Sequence, residues 1–412
     1  MKEYVYEPSD DTMLLYRCAL RALEPLSNAH CFEAGFGMGT LVLELATKSN
    51  VLSIDCSDIN ENAIRMLSDK IKLLDDSIKN KISLSSKEYI DGFPEKKYDL
   101  LLFNPPYLPA DHTDRHLSLL EKNSLVGGKK GIETGLEFLK RALLHIHDNS
   151  VILVVASSHA NIPLFEESAR RLGYDISIME SNRIGFETLH CYNAVPGPAL
   201  SYALNNNTMI EYLSKGSRSY VYSFANNKKI VCKQANIGVE SNITKEYEML
   251  QLLKDIIRVP KPYNHSHRIL IMERIYGRRA DRHDDALGIA SFLVNAALIL
   301  DALSIFKREF SRPYTNLLVG EDNSMCLLDF ERSIIGRRHN MNQLCEYLKR
   351  QGMINDNDAI TIRELNDEHS SIFQEKCDYK QISSLKDKAL LLQEYDGLRE
   401  KYHNSIMEII KK

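Results

Sequence analysis

From residue 12 to about residue 190 the chain alternates helix-like stretches with short, nearly continuous apolar runs. The runs at 30–34, 51–57, 99–103 and 151–156 predict buried parallel strands, because a strand covered on both faces has no polar side to alternate. With helical stretches between them, this is the layer pattern of an α/β domain: a Rossmann-like sheet with helices on both faces. The periodicity breaks at AVPGPALSYALNNNTM, residues 194–209, where Pro, Gly and consecutive Asn residues predict a surface connection. The expected organisation is a first domain over 1–198, a linker over 199–212 and a second domain over 213–412.

The second domain opens with β-branched and aromatic alternations at 219–224 and 230–233. A helix-like stretch follows at 241–257, then a strand at 268–273. A strand pair at 316–319 and 325–329 interrupts an otherwise helical remainder, so the fold class is α+β. A chain of 412 residues has room for two cores, which agrees with this division.

Composition adds exclusions. With 44% apolar and 26% charged residues the chain is a folded protein, and a net charge of −4 supplies no overall field for nucleic acid. The eight cysteines are scattered singly, which argues against structural zinc and for a reducing compartment. The opening MKEYVYEPSDDT lacks the apolar run of a signal peptide, and runs such as 151–156 are far too short to span a bilayer. The expectation is a cytoplasmic protein without a membrane partner.

The chemistry begins at CFEAGFGMGT, residues 31–40, a strand entering a glycine-rich turn that opens a helix. Gly35, Gly37 and Gly39 suit close backbone approach to a ligand, and helix amides can face a carboxylate. Glu33 is placed to take an ammonium group. About twenty residues on, VLSIDCSDIN puts Asp58 at the end of the next strand, where an acid grips a ribose diol. Asp55, within the strand, reads as a structural acid. These features alone also suit a dinucleotide dehydrogenase.

LLLFNPPYLP, residues 100–109, decides between them. A planar nitrogen must be held with its lone pair toward an electrophilic methyl group. The Asn104 side-chain carbonyl and the Pro105 backbone carbonyl can accept its two hydrogens. Pro105 and Pro106 stiffen the turn, and Tyr107 can stack on the flat target. No strong base stands in the motif, so catalysis is mainly positioning for in-line displacement from a sulfonium. Two histidines four apart, His112 and His116, lack a third ligand and read as surface residues.

On these motifs, in this order and spacing, residues 1–195 resemble the HemK/PrmC-type glutamine methyltransferases in their short archaeal and eukaryotic form. VYEPSDDT resembles the segment that closes over the methyl donor, implying contacts from Asp11 and Thr12. VGGKKGIETGLEFL, residues 126–139, and RIGFETLHCY, residues 183–192, also match. The resemblance implies a class I methyltransferase fold using S-adenosylmethionine. It further implies, as substrate, the glutamine of the Gly-Gly-Gln tripeptide in class I translation release factors, and a small zinc-binding activator as partner. The same loop serves enzymes that methylate exocyclic base amines, so tRNA stays open as acceptor. Either Glu88 or Asp91 is placed to meet the adenine.

In the second half, SKGSRSYVYSF, residues 214–224, leads to a strand bearing Lys233, and Glu246 follows on a helix. A loop over phosphates, a strand lysine and a helix glutamate is the order of a kinase nucleotide site. CLLDFERS supplies Asp329 as a magnesium ligand, with Glu331 where glycine is usual. FKREFSRPYTNLLV supplies Glu309 in place of the catalytic aspartate and Asn316 as second metal ligand, although Glu309 precedes Asn316 by seven residues and Ser311 holds the ordinary spacing. Arg274, Arg278, Arg279, Arg337 and Arg338 could track phosphates, or serve as solvated surface charge. About residues 210–340 resemble the archaeal RIO-related kinases, whose relatives include a tRNA ribose 2′-hydroxyl kinase; this implies ATP, Mg2+ and tRNA. A non-catalytic binding module is the competing reading.

Overall fold

The computed structural model describes residues 5–94, 96–110, 122, 124–281 and 284–412. Two compact units result, residues 1–214 with 224–226, and 215–223 with 227–412.

The first unit is organised by a seven-stranded sheet. Its strands are β1 (Ala29–Ala34), β2 (Val51–Ser57), β3 (Ile82–Ser85), β4 (Tyr98–Phe103), β5 (Ile146–Ser157), β6 (Tyr174–Ile184) and β7 (Glu187–Pro196), in the order β3-β2-β1-β4-β5-β7-β6. The pairings from β3 through β5 are parallel, and β7 runs antiparallel to β5 and β6. Leu100 and Leu102 of β4 enter one apolar cluster while Leu101 and Phe103 enter another, so the sheet is covered on both faces. The strand order reverses between β1 and β4, which opens a crevice beyond their carboxyl ends.

The helix Asp10–Leu23 begins with Asp10 and Asp11 and ends near Arg21, charges that complement its dipole. Its Leu14, Leu15, Cys18 and Ala19 are buried. The stretch expected as a linker over 199–212 is instead ordered: a helix spans Pro198–Asn205, and Leu200 enters the core of the first unit. Pro198 sits in the first helical turn, where its missing N–H costs nothing, so the Pro-Gly punctuation marks a helix start.

In the second unit, strands Pro262–His265, Ile269–Glu273, Asn227–Ala235 and Ser219–Phe224 lie in that order in one sheet. The helix Ala286–Ala302 is buried along most of its length and anchors the core. Its one buried acid, Asp301, accepts from the Asn340 and Met341 amides at 3.1 and 3.0 Å, and from the Asn340 and Asn366 side chains at 2.7 and 3.2 Å. Truncation to alanine would strand these buried donors. Asp301→Ala is therefore expected to destabilise this unit by about 3 kcal/mol or more, read as faster amide hydrogen exchange along the Ala286–Ala302 helix. Unchanged exchange would refute the anchoring role. No helix among the described residues is long and apolar enough to cross a membrane.

Candidate methyl-transfer and nucleotide sites

A cavity of about 490 Å³ opens at the crevice beyond β1 and β4. Glu33, Gly35, Gly37, Asp58, Asn104, Pro105, Pro106, Tyr107, Asp11 and Thr12 all line it. Gly39, read with the other two glycines as an approach position, does not. It adopts φ +75° at the start of the helix Thr40–Ala46, and an added Cβ would meet Leu67 at 2.5 Å, so helix packing accounts for it. Gly37, at φ +53°, approaches the backbone oxygen of Tyr6, which a Cβ would meet at 3.0 Å.

Glu33, at the end of β1, is 5% exposed, and its Oε2 has no hydrogen-bond partner among the described residues. Burial, with Asp58 nearby, pushes its carboxyl up to about 8. A buried acid with an unpartnered oxygen on a cavity wall fits an ammonium ligand. Asp58 follows β2 directly. It accepts from the Gly37 amide at 2.9 Å and the Asn60 amide at 2.8 Å, and burial raises its pKa against those bonds. Asp55 is fully buried and holds Lys96 at 2.5 Å and the Tyr98 hydroxyl at 2.8 Å, a structural use.

Asn104 is the residue next after β4, and its Oδ1 is a second buried acceptor with no partner among the described residues. The Tyr107 hydroxyl donates to Asp11 at 3.1 Å, which fixes the ring in the wall; burial, then Asp11, raises its pKa. The glycine-rich stretch fits under this loop, since a Cβ on Gly127 would meet the Pro106 carbonyl oxygen at 2.2 Å and one on Gly131 the Tyr107 carbonyl oxygen at 2.3 Å. Thr12 and Asp11 bond to one another: the Thr12 amide donates to Asp11 at 2.6 Å. Of the two acids considered for the adenine, Glu88 lines the cavity and Asp91 does not; both pair with Arg141. His112 and His116 lie outside the described residues. Tyr6, Tyr89 and Phe103 also line the cavity; Tyr6 lies in the VYEPSDDT segment and Phe103 in LLLFNPPYLP, but neither segment assigned those side chains a contact.

In the second unit Lys233, on the strand Asn227–Ala235, meets Glu246 of the helix Ile243–Leu253 at 2.6 Å, Asp329 at 3.5 Å and Glu331 at 3.6 Å. Burial opposes its charge, but Glu246 and Asp329 more than restore it, so the lysine stays protonated. The carboxylates of Glu246, Asp329 and Glu331 gather within 4.8 Å of one another around the Lys233 ammonium, which they share. Glu309 accepts a hydrogen bond from the Asn316 side chain, so those two residues meet each other.

The contacts of Lys307, Glu331 and Arg218 were not foreseen. Lys307, fully buried, donates to the Asp329 backbone oxygen at 3.0 Å and has its pKa lowered to about 8 by burial. Glu331, read only as a replacement for glycine, pairs with Lys233, and with Arg218 of the preceding loop at 3.2 Å. Of the arginines considered for phosphate, Arg278 is held by Asp281 at 3.0 Å and by Asp284.

Comparison with known proteins follows the same division. A family model described as "Methyltransferase small domain" matches residues 15–122, and one described as "RIO domain" matches residues 207–350. A Methanocaldococcus jannaschii protein named as an N5-glutamine methyltransferase is 30% identical over 192 residues, covering 46% of this chain and 91% of that protein. The release factor glutamine methyltransferase of Aquifex aeolicus is 24% identical, covering 37% of this chain and 54% of its own length. The ribosomal protein uL3 glutamine methyltransferase of Xanthomonas campestris is 28% identical, covering 34% and 51%. The chain thus spans about half the length of these last two relatives. The solved E. cuniculi Mtq2–Trm112 complex, titled as responsible for methylation of eRF1, aligns at a TM-score of 0.36 and 18% identity, covering 47% of this chain and 99% of that one.

Proposed function

The chain belongs to the S-adenosylmethionine-dependent protein glutamine methyltransferase family and carries a kinase-like RIO domain; from that premise we propose that it methylates the Gly-Gly-Gln glutamine amide of a class I translation release factor. The observation that carries this reading is the buried Asn104 Oδ1 on the cavity wall, which has no hydrogen-bond partner among the described residues. A primary amide offers the N–H that this oxygen lacks, and the Pro105 carbonyl is the second acceptor.

Glu33 would hold the donor's ammonium, Asp58 its ribose, and Gly35 and Gly37 would let the backbone close on it. S-adenosylmethionine supplies an electrophilic methyl when bound. Asn104 and Pro105 orient the amide nitrogen, the Pro105-Pro106 pair keeps the turn rigid, and Tyr107 covers the flat group. The amide's surplus proton leaves to solvent, since these residues include no base aimed at the nitrogen. The release factor and a small zinc-binding activator are the proposed partners. Transfer of labelled methyl to purified release factor, with total tRNA assayed alongside, tests the reading: label confined to tRNA would replace it with base methylation.

For the second unit we propose ATP-dependent phosphoryl transfer, with Lys233 on the phosphates, Glu246 orienting it, Asp329 and Asn316 holding Mg2+ and Glu309 orienting the hydroxyl acceptor. The Lys233–Glu246 contact at 2.6 Å supports it. The Asp329→Ala chain is expected to lose phosphoryl transfer, tested on tRNA and on protein, by about 10²-fold or more. A wild-type chain that leaves γ-labelled ATP untouched would favour a binding module instead.

A further inference from the structure

Glu331 stands where a kinase metal-binding segment usually carries glycine, and its carboxylate faces two cations. The residue is 9% exposed. Its Oε1 lies 3.2 Å from Arg218 Nε, and its Oε2 lies 3.6 Å from Lys233 Nζ. Arg218 directly precedes the strand Ser219–Phe224, in the loop that the kinase order lays over phosphates. Its Nη2 also donates to the Glu240 carbonyl oxygen at 2.8 Å, and its own carbonyl oxygen accepts from the Asn236 amide at 2.9 Å. We propose that Glu331 is a built-in rival of phosphate: it holds Arg218 and Lys233, and an incoming nucleoside triphosphate displaces it from both.

Glu331 is not needed to keep Lys233 in place, because Glu246 meets that ammonium at 2.6 Å and Asp329 meets it at 3.5 Å. What Glu331 adds is a further carboxylate on the lysine and a tie from the loop to the segment that bears Asp329. Carboxylate and phosphate oxygens accept from arginine and lysine in the same way, so they compete for the same protons. A triphosphate brought against a retained carboxylate would meet like charge in a partly dry site, which opposes binding. Binding is therefore an exchange of one anion for another. Because Glu331 lies two residues after Asp329, the same exchange releases the Asp329 segment from the loop. The inference rests on the nucleotide reading of this unit and concerns its regulation: the charge of the phosphates, and not the nucleoside, opens the site.

The test uses the full chain and compares wild type with Glu331→Gln, which keeps the shape of the side chain and removes its charge. Calorimetry at fixed Mg2+ reads the affinity for ATP, tripolyphosphate and adenosine. The Arg218 Nε proton is followed by NMR, assigned by its loss in Arg218→Lys. Glu331→Gln is expected to bind ATP and tripolyphosphate about tenfold more tightly than wild type, and adenosine within about twofold. A merely structural Glu331 predicts equal or weaker binding of ATP, with adenosine following it, and that result would overturn the proposal. In wild type the Arg218 Nε proton should exchange with solvent about tenfold or more slowly than that of an exposed arginine, and tripolyphosphate should shift its resonance. Wild type alone decides if Glu331→Gln does not fold: a freely exchanging proton, or one that tripolyphosphate leaves unmoved, would overturn the proposal. ATP left unbound by both chains would end the nucleotide reading and the exchange of anions together. A protected Nε proton with unchanged triphosphate affinity in Glu331→Gln would end the exchange of anions alone.

Discussion

Asn104→Ala is expected to lower the rate of methyl transfer at saturating substrates by about 10²–10³-fold while donor affinity changes by no more than about twofold. The reason is the division of labour around the cavity. The donor's proposed holds are Glu33, Asp58 and the glycine turn at the ends of β1 and β2, whereas Asn104 follows β4 and presents a buried acceptor with no partner among the described residues. Removing it deletes the group that aims the nitrogen's lone pair, and misaimed reactants lose most of the gain from being held together. A loss seen in donor affinity instead of turnover would place Asn104 among the donor's ligands and contradict the assignment.

Glu33→Gln is expected to weaken donor binding by about 2–3 kcal/mol, roughly 30- to 150-fold, and to remove its pH dependence. Before an ammonium group arrives, burial, aided by Asp58, disfavours the Glu33 charge and pushes its carboxyl up to about 8. The ordinary value is 4.5, so between 4.5 and about 8 the folded chain keeps a proton that the unfolded chain has released. Stability of the empty form therefore falls as pH rises through that window, and it is fully present only below it. An ammonium group brought to Glu33 reverses the preference and expels the proton. At pH 7 donor binding should release close to one proton per site, and affinity should rise roughly tenfold per unit between pH 6 and pH 7. Calorimetry in two buffers of different ionisation enthalpy reads the proton directly. Binding without proton release would remove Glu33 from the ammonium site.

The parts of this account visible in the sequence are those carried by neighbouring residues. Val51–Ser57 and Tyr98–Phe103 announce themselves because a strand buried on both faces is mostly apolar, and the glycines and Asn-Pro-Pro-Tyr follow directly on strands. Ile82–Ser85 escaped notice: it is a four-residue edge strand, none of its positions fully buried, so it carries no apolar run. The segment 199–212 was misread because proline and glycine punctuate helix starts as well as loops. The node at Asp11 draws its donors from positions 6, 9, 12 and 107, and only the folded chain brings the last to the others. Glu331 shows the same limit, because a departure from a motif says which residue is missing and not what the replacement touches. Here it touches Lys233 and Arg218.

The most direct test of the central claim is mass spectrometry of a class I release factor after incubation with the full chain and S-adenosylmethionine. One added methyl on the side-chain nitrogen of the Gly-Gly-Gln glutamine, absent with Asn104→Ala, is the predicted result. A release factor left unmodified by a chain that methylates tRNA, or one methylated equally after that glutamine is replaced, would contradict it.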